Sequence, residues 1–315
     1  TTGVTGFISD SNSLIGSTDY DGVGNTATAL QNGNYVVTSS QWDNGSVMNT
    51  GAATFGNGTT GVMGFISETN SLVGSTAHDS VGNVVFALTN GNYVISSSQW
   101  DNGSIVNAGA VTFGDGTTGV TGLISASNSL VGSSDDDQVG DYDHITVLTN
   151  GNYVVVSSRW DNGSVVDAGA VTFGHGATGV SGIVSMGNSL VGSSENDHVG
   201  GYAYVTALTN GNYVVSSPQW DNGSVIDAGA ATFGDGTTGI TGLVSASNSL
   251  VGSTNYDGVG YDATALANGN YVVSSGNWDN GSVVNAGAVT FGHGTTGVSG
   301  LVSASTMISW GCIII

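Results

Sequence analysis

Lysine is absent from this chain of 315 residues, and Arg159 is its only fixed cation. A phosphate backbone is bound through Lys and Arg that displace its counterions, so nucleic acid is set aside as a partner. Attraction to an anionic membrane surface fails for the same reason. No apolar run is long enough to span a bilayer, so membrane insertion is not expected either. Cys312 stands alone, which excludes an intrachain disulfide. Pro218 is the one proline against 53 glycines, a balance that favours tight turns. Of the 23 acidic residues only Glu68 and Glu195 are Glu; the rest are Asp, the acid of turns and metal loops. The formal net charge is −22, so cations are the natural small partners. Thr1 opens inside a repeat motif, without initiator Met or signal peptide, which reads as a processed product or a fragment.

What is present is one sentence written five times. Asn-Gly-Asn-Tyr recurs at Asn32, Asn90, Asn150, Asn210 and Asn268, and Trp-Asp-Asn-Gly-Ser at Trp42, Trp100, Trp160, Trp220 and Trp278. Fixed-period self-similarity means an array whose members stack to share a core. The expected organisation is a single array over residues 1–305. Its repeats run approximately over 18–75, 76–133, 134–193, 194–253 and 254–305, with 1–17 a partial repeat and 306–315 an atypical apolar tail.

Within the second repeat, Val84 to Leu88 and Asn92 to Ser96 flank Asn90-Gly91, a strong hairpin signal. A third strand follows at Gly109 to Phe113, and a fourth, more solvated one at Val120 to Ile124, ahead of the tag Asn128-Ser129-Leu130-Val131-Gly132. Call these strands A to D. Strands A to C are apolar on both faces and must be covered on both, which radially stacked four-stranded sheets achieve. The expected fold is all-β: a β-propeller of five four-stranded blades plus a surplus outer strand, with a β-solenoid as the rival. Period-2 alternation puts Phe55, Phe113, Phe173, Phe233 and Phe291 between adjacent blades.

The fifth repeat reads DGVGYDATALANGNYVVSSGNWDNGSVVNAGAVTFG. Its Gly-x-x-Ala opening, Asn-Gly turn, Val-Val-Ser-Ser strand, short acidic turn and Gly-Ala-Val strand resemble the FG-GAP repeat, the blade of integrin-α-type propellers. The resemblance covers all five repeats through short motifs. It implies a propeller, with Ca²⁺ held by an Asp-rich loop between strands A and B. Here that loop is Asn-Gly-Asn, as at Asn210 to Asn212, and lacks the carboxylates such a site needs. The NSLVGS and WDNG tags also resemble repeats of large secreted bacterial, haemagglutinin-like proteins.

Three sets of residues are candidates for chemistry. Asp21, Asp79, Asp137, Asp197 and Asp257 precede Val-Gly or Gly-Val at the junction of strands D and A, and could hold Ca²⁺ at one rim or simply cap a turn. No cofactor is required. Trp42, Trp100, Trp160, Trp220 and Trp278, beside Asp and Asn, could stack on a sugar, joined by Tyr142, Tyr202 and Tyr204 in the variable loops; the plainer reading packs each Trp against its neighbour. Asn44, Asn102, Asn162, Asn222 and Asn280 head N-x-Ser sequons, and Asn57 heads an N-x-Thr one, so all six are glycosylation candidates. Five histidines occupy no constant position, and Cys312 has no recognisable base.

The leading expectation is a non-enzymatic structural or adhesion protein, extracellular or on the cell surface, whose partners are other copies of itself or cell-surface molecules. The alternative is a multivalent carbohydrate-binding lectin. Near-identical repeats offer no unique acid, base or nucleophile, so no enzyme is expected. Six D segments against five sets of A to C leave one surplus strand, and the segment from Thr295 onward competes with residues 1–17 for one edge. Donating that strand to a neighbour would give head-to-tail fibres. A truncated or shifted reading frame would equally explain the odd tail.

Overall fold

The computed structural model describes residues 5–141, 144–201 and 205–303. Every regular element among them is a β-strand. Strands A to C form where the sequence indicates. In the second repeat they are Val84–Ala87, Tyr93–Ser97 and Ala110–Gly114. The A–B hairpin pairs Ala87 with Tyr93 and turns at Gly91, whose φ of +91° suits glycine. All-β repeated sheets of this kind fit a propeller-like arrangement, and no closed sheet occurs among the described residues.

Strand D differs from expectation. The segment after strand C yields only two strand residues, Gly122–Leu123, and they lie parallel on Leu72 and Val73 of the preceding repeat. The fourth antiparallel strand is the tag itself: Ser129–Val131 pairs with Ala110, Val111 and Thr112. Gly122, at φ +95°, breaks the extended run, while all three tag residues are buried. Each complete sheet therefore has five strands, four antiparallel ones from one repeat and a parallel link from the next.

This arrangement removes the expected competition between surplus segments. The first link strand, Gly64–Phe65, lies parallel on Leu14–Ile15, and the last, Gly300–Leu301, lies on Leu250 and Val251. Strand counting misled because it assigned each D segment to its own sheet.

The chain divides into two compact units. The first, residues 1–145 with 174–183, holds the sheets of the first two repeats. One of its cores gathers Val36, Ala53 and Leu72 with Tyr93, Ile95 and Trp100, and Phe55 packs against it half-buried. The second, residues 146–173 with 184–315, holds the later sheets. Its clusters centre on Tyr213 with Trp220 and on Tyr271 with Trp278. Phe233 stacks on Tyr271 with ring centroids 6.5 Å apart. Phe55, Phe113, Phe173 and Phe233 thus face the next repeat but are half-buried, Phe291 is exposed, and the deeply buried aromatics are Tyr and Trp.

Candidate functional site

The most regular polar feature joins the tag, the junction Asp and the Trp-Asp-Asn-Gly turn. After the tag strand the chain bends over Ser75 and Thr76, whose N–H groups donate to Asp79 Oδ2 at 2.8 and 2.7 Å. Asp79 Oδ1 accepts from the N–H of Asp101 at 3.0 Å. Asp101 in turn accepts from Asn107 N–H at 2.8 Å. Two carboxylates in series therefore clamp three loops. The clamp recurs at Asp197 and Asp221, at Asp257 and Asp279, and at Asp21 and Asp43. Asp137 accepts from Ser133 and Ser134 in the same way.

Each junction Asp is almost fully buried, from 0 to 4% exposed, and faces N–H donors rather than solvent. Among the described residues no group of three or more His, Cys, Asp or Glu could hold a metal ion. Both carboxylate oxygens of Asp79 are engaged by backbone N–H donors of the surrounding turns.

Environment splits the clamp carboxylates. Burial raises the pKa of Asp79 and Asp197 above the ordinary 3.8, and backbone N–H donors offset this only in part. At Asp21 burial acts in the same direction, but the Thr18 hydroxyl and the N–H groups of Thr18, Asp43 and Ser17 outweigh it, leaving the pKa lowered. The stability signs are opposite. Asp79 and Asp197 keep protons that the unfolded chain has released, so their contribution falls as pH rises above 3.8 toward their folded values. Asp21 stabilises above 3.8, and that gain is lost as pH falls through its folded value. Carboxyl-carbon NMR titration should place the midpoint of Asp79 above 3.8 and that of Asp21 below it. A reversed order would show that the clamp is not formed in solution.

The Trp side chains lie underneath. Trp42, Trp100, Trp160, Trp220 and Trp278 are 3 to 4% exposed, so none offers a face to a sugar. The lectin expectation at these rings is corrected accordingly: the apolar indole is drawn into the core between Tyr and Val. Their Nε1 atoms are buried without a hydrogen-bond partner. Trp100→Phe should therefore cost under about 2 kcal/mol, against about 3–5 for Trp100→Ala. Urea unfolding checks this, and equal losses would mean that the indole N–H is bonded. Tyr142, Tyr202 and Tyr204 lie outside the described residues, as does Cys312.

The sequon asparagines are half-buried in part. Asn102, Asn162 and Asn222 donate Nδ2, the atom a glycan would occupy, to the carbonyls of Gly132, Gly192 and Gly252 at 3.1–3.2 Å. Asn44 reaches Glu68 at 3.4 Å. Asn57 is exposed, its Oδ1 accepting from Thr59 and Thr60. Asn280 is exposed on the last repeat's turn.

The hairpin asparagines have a role that sequence reasoning missed. Asn32 and Asn34 both donate to Gly116 O, at 2.6 and 2.8 Å, and Asn210 and Asn212 do the same to Gly294 O. Each of the first four hairpins thus grips the loop of the following repeat. The only signal for this was the double Asn flanking one Gly, which a turn alone does not need.

Strand-sharing sheets, clamps and hairpin grips define a β-repeat protein whose recurring polar residues serve the joints between repeats. The chain belongs to the family described as a repeat of unknown function, DUF5650, whose model matches residues 1–25, 29–83, 87–141, 147–201, 207–261 and 265–306. No curated protein matches it. Among solved structures it is similar to one described as an exo-beta-1,3-galactanase from Bifidobacterium bifidum s17, at 11% identity and TM-score 0.30, covering 92% of this chain and 93% of the other. It is also similar to the family 43 glycoside hydrolase YxiA from Bacillus licheniformis, at 14% identity and TM-score 0.26, covering 84% and 70%. The exclusion of an enzyme drawn from the sequence is withdrawn: both structures are described as glycoside-cleaving enzymes, and repeat regularity by itself does not bar a fold from hosting a catalytic site. At such TM-scores the likeness carries no activity to this chain.

Proposed function

We propose that the chain is a structural or adhesion repeat protein working outside the cell or at its surface. The observation that carries this is the shared strand. Each repeat completes the sheet of the one before it, as Gly122–Leu123 does on Leu72 and Val73. Its recurring Asp and Asn side chains reinforce the same joints, as at Asp79 and Asn32. A charge of −22 without Lys suits a soluble surface bathed in cations. The resemblance to FG-GAP repeats supports the adhesion half of the reading.

The test is thermal unfolding of the intact chain with and without Ca²⁺ and a panel of mono- and oligosaccharides. A structural protein keeps its Tm across the panel. A ligand-binding protein gains about 2.7 kcal/mol at a hundred times Kd. A saturable, sugar-dependent rise in Tm overturns the reading in favour of a lectin.

A further inference from the structure

The joint between the fourth and fifth repeats holds a cleft of about 370 Å³, lined by Gln219, Asp227, Tyr256, Tyr261 and Asn277. All five residues lie in the second compact unit. That volume is at the lower end of the range for small-ligand sites. Backbone bonds fix the cleft. Tyr256 N–H donates to Ile226 O at 2.8 Å, and Gly258 N–H donates to Asp227 O at 3.0 Å. Tyr256 and Asp227 are thereby held side by side on bonded segments. Tyr261 follows on the next turn, its N–H donating to Gly258 O at 3.2 Å.

Earlier joints close where this one stays open. Between the first and second repeats, Asn49 and His78 occupy the places of Asp227 and Tyr256 and bond to each other at 3.4 Å. Between the second and third, Asn107 donates to Asp136 at 2.9 Å. The side chains of Asp227, Tyr256, Tyr261 and Asn277 make no hydrogen bond among the described residues. Gln219 Oε1 is buried without a partner. Tyr256 adopts a φ of +67°, a region open to Asn and Asp but disfavoured for an aromatic residue. It is 62% exposed and Tyr261 is 70% exposed, so core packing accounts for neither ring. His78, Asp136 and Asn196, at the same position inside the array, are exposed too. The exposure of Tyr256 therefore belongs to its position and not to the end of the sequence. Tyr20 shares that position, but Asn25 stands there in place of Tyr261.

Charge says what would fill the cleft. Burial first, and then the neighbouring Asp221 carboxylate, raise the pKa of Asp227 above 3.8. A nearby cation would relieve both effects, and composition leaves little to supply one. The 315 residues contain no lysine and a single arginine, Arg159 in the third repeat.

We infer that this cleft takes the side chain of a lysine carried by a basic partner protein. An ammonium group has three donors and no acceptor, and Asp227, Gln219 and Asn277 offer it acceptors. The two tyrosine rings attract a cation and cover its aliphatic stem. A sugar would also suit rings and amides, but it would leave the carboxylates of Asp221 and Asp227 uncompensated. A second copy of these residues has no lysine to offer, so the partner is a different chain. The net charge of −22 steers such a partner in.

The inference gives the adhesion reading its partner class and rests on that reading. Titration with a lysine derivative tests the cleft, while melting with sugars and Ca²⁺ tests the reading, so the two can fail separately. The probe is Nα-acetyl-lysine methylamide, added at constant ionic strength to the intact chain with isotope-labelled tyrosine rings. NMR signals of Tyr256 and Tyr261 should shift saturably while those of Tyr20 stay in place. The Nε-acetylated probe, neutral on the same stem, should move none of them. Tyr256→Asn and Asp227→Asn install the residues found at those positions in other repeats, Asn196 and Asn107, and circular dichroism checks that the β signal is kept. Tyr256→Asn should weaken binding about two- to fivefold, the value of one exposed cation–π contact, and Asp227→Asn at least as much. Tyr20→Asn should bind like the intact chain. Absence of a saturable shift overturns the inference. So do equal shifts with the neutral probe, or undiminished binding by Tyr256→Asn and Asp227→Asn.

Discussion

Gly109→Ala will destabilise the chain by about 2–5 kcal/mol, the largest effect expected of a single methyl group. Gly109 sits at φ +73°, where an L-residue costs about 1–2 kcal/mol. A Cβ there would lie 2.2 Å from the backbone nitrogen of Val139 and 2.6 Å from the carbonyl carbon of Gln138. Backbone cannot step aside as a side chain can, and overpacking adds about 1–3 kcal/mol. Gly103, at φ +67° with open space around it, is the control, and its Ala variant should lose only the conformational part. Urea denaturation of both variants decides. Equal losses would show that the close approach of Val139 to Gly109 does not exist.

Tyr213→Ala should cost about 3–5 kcal/mol, at the upper end of the range for a buried aromatic. Tyr213 is 1% exposed, and burial pushes its phenol well above the ordinary value of 10.0 despite a backbone bond at Ile240. Its ring lies across Gly234, its cross-strand partner, where a Cβ would come within 2.1 Å of Cζ. Glycine has no side chain to swing into the vacated volume, so the cavity stays open. Tyr213→Phe keeps the ring and should lose only the hydroxyl bond, about 0.5–1.5 kcal/mol. Matching losses for the two variants would place the ring outside the core.

Strands A to C were legible because hairpin chemistry is local. Asn90-Gly91 between two β-branched runs announces its own partner. The tag strand was not legible. Ser129-Leu130-Val131 is three residues long, shows no alternation, and earns its place through strand C, 17 residues away in sequence at Thr112 and Ser129. The parallel link is harder still, since Gly122–Leu123 carries no strand signal and pairs with another repeat. Of the site candidates, the junction Asp was recognised as a turn former but not as one half of a carboxylate pair with Asp101. For the Trp the sequence offered both packing against a neighbour and a sugar-stacking surface, the second because its neighbours Asp and Asn are polar. Alternation along a turn says nothing about depth, and only the packing of Trp100 with Tyr93 and Ile95 places it inside.

Strand sharing also sets an order on synthesis. The sheet of the first repeat has its tag at Ser71–Val73 but closes only with Gly122–Leu123. A nascent chain must therefore have emerged well into its second repeat before the first can be complete. Each repeat would finish folding one period behind the ribosome, its open edge waiting for the strand still to come. A pause in translation would leave an incomplete sheet exposed for as long as it lasts.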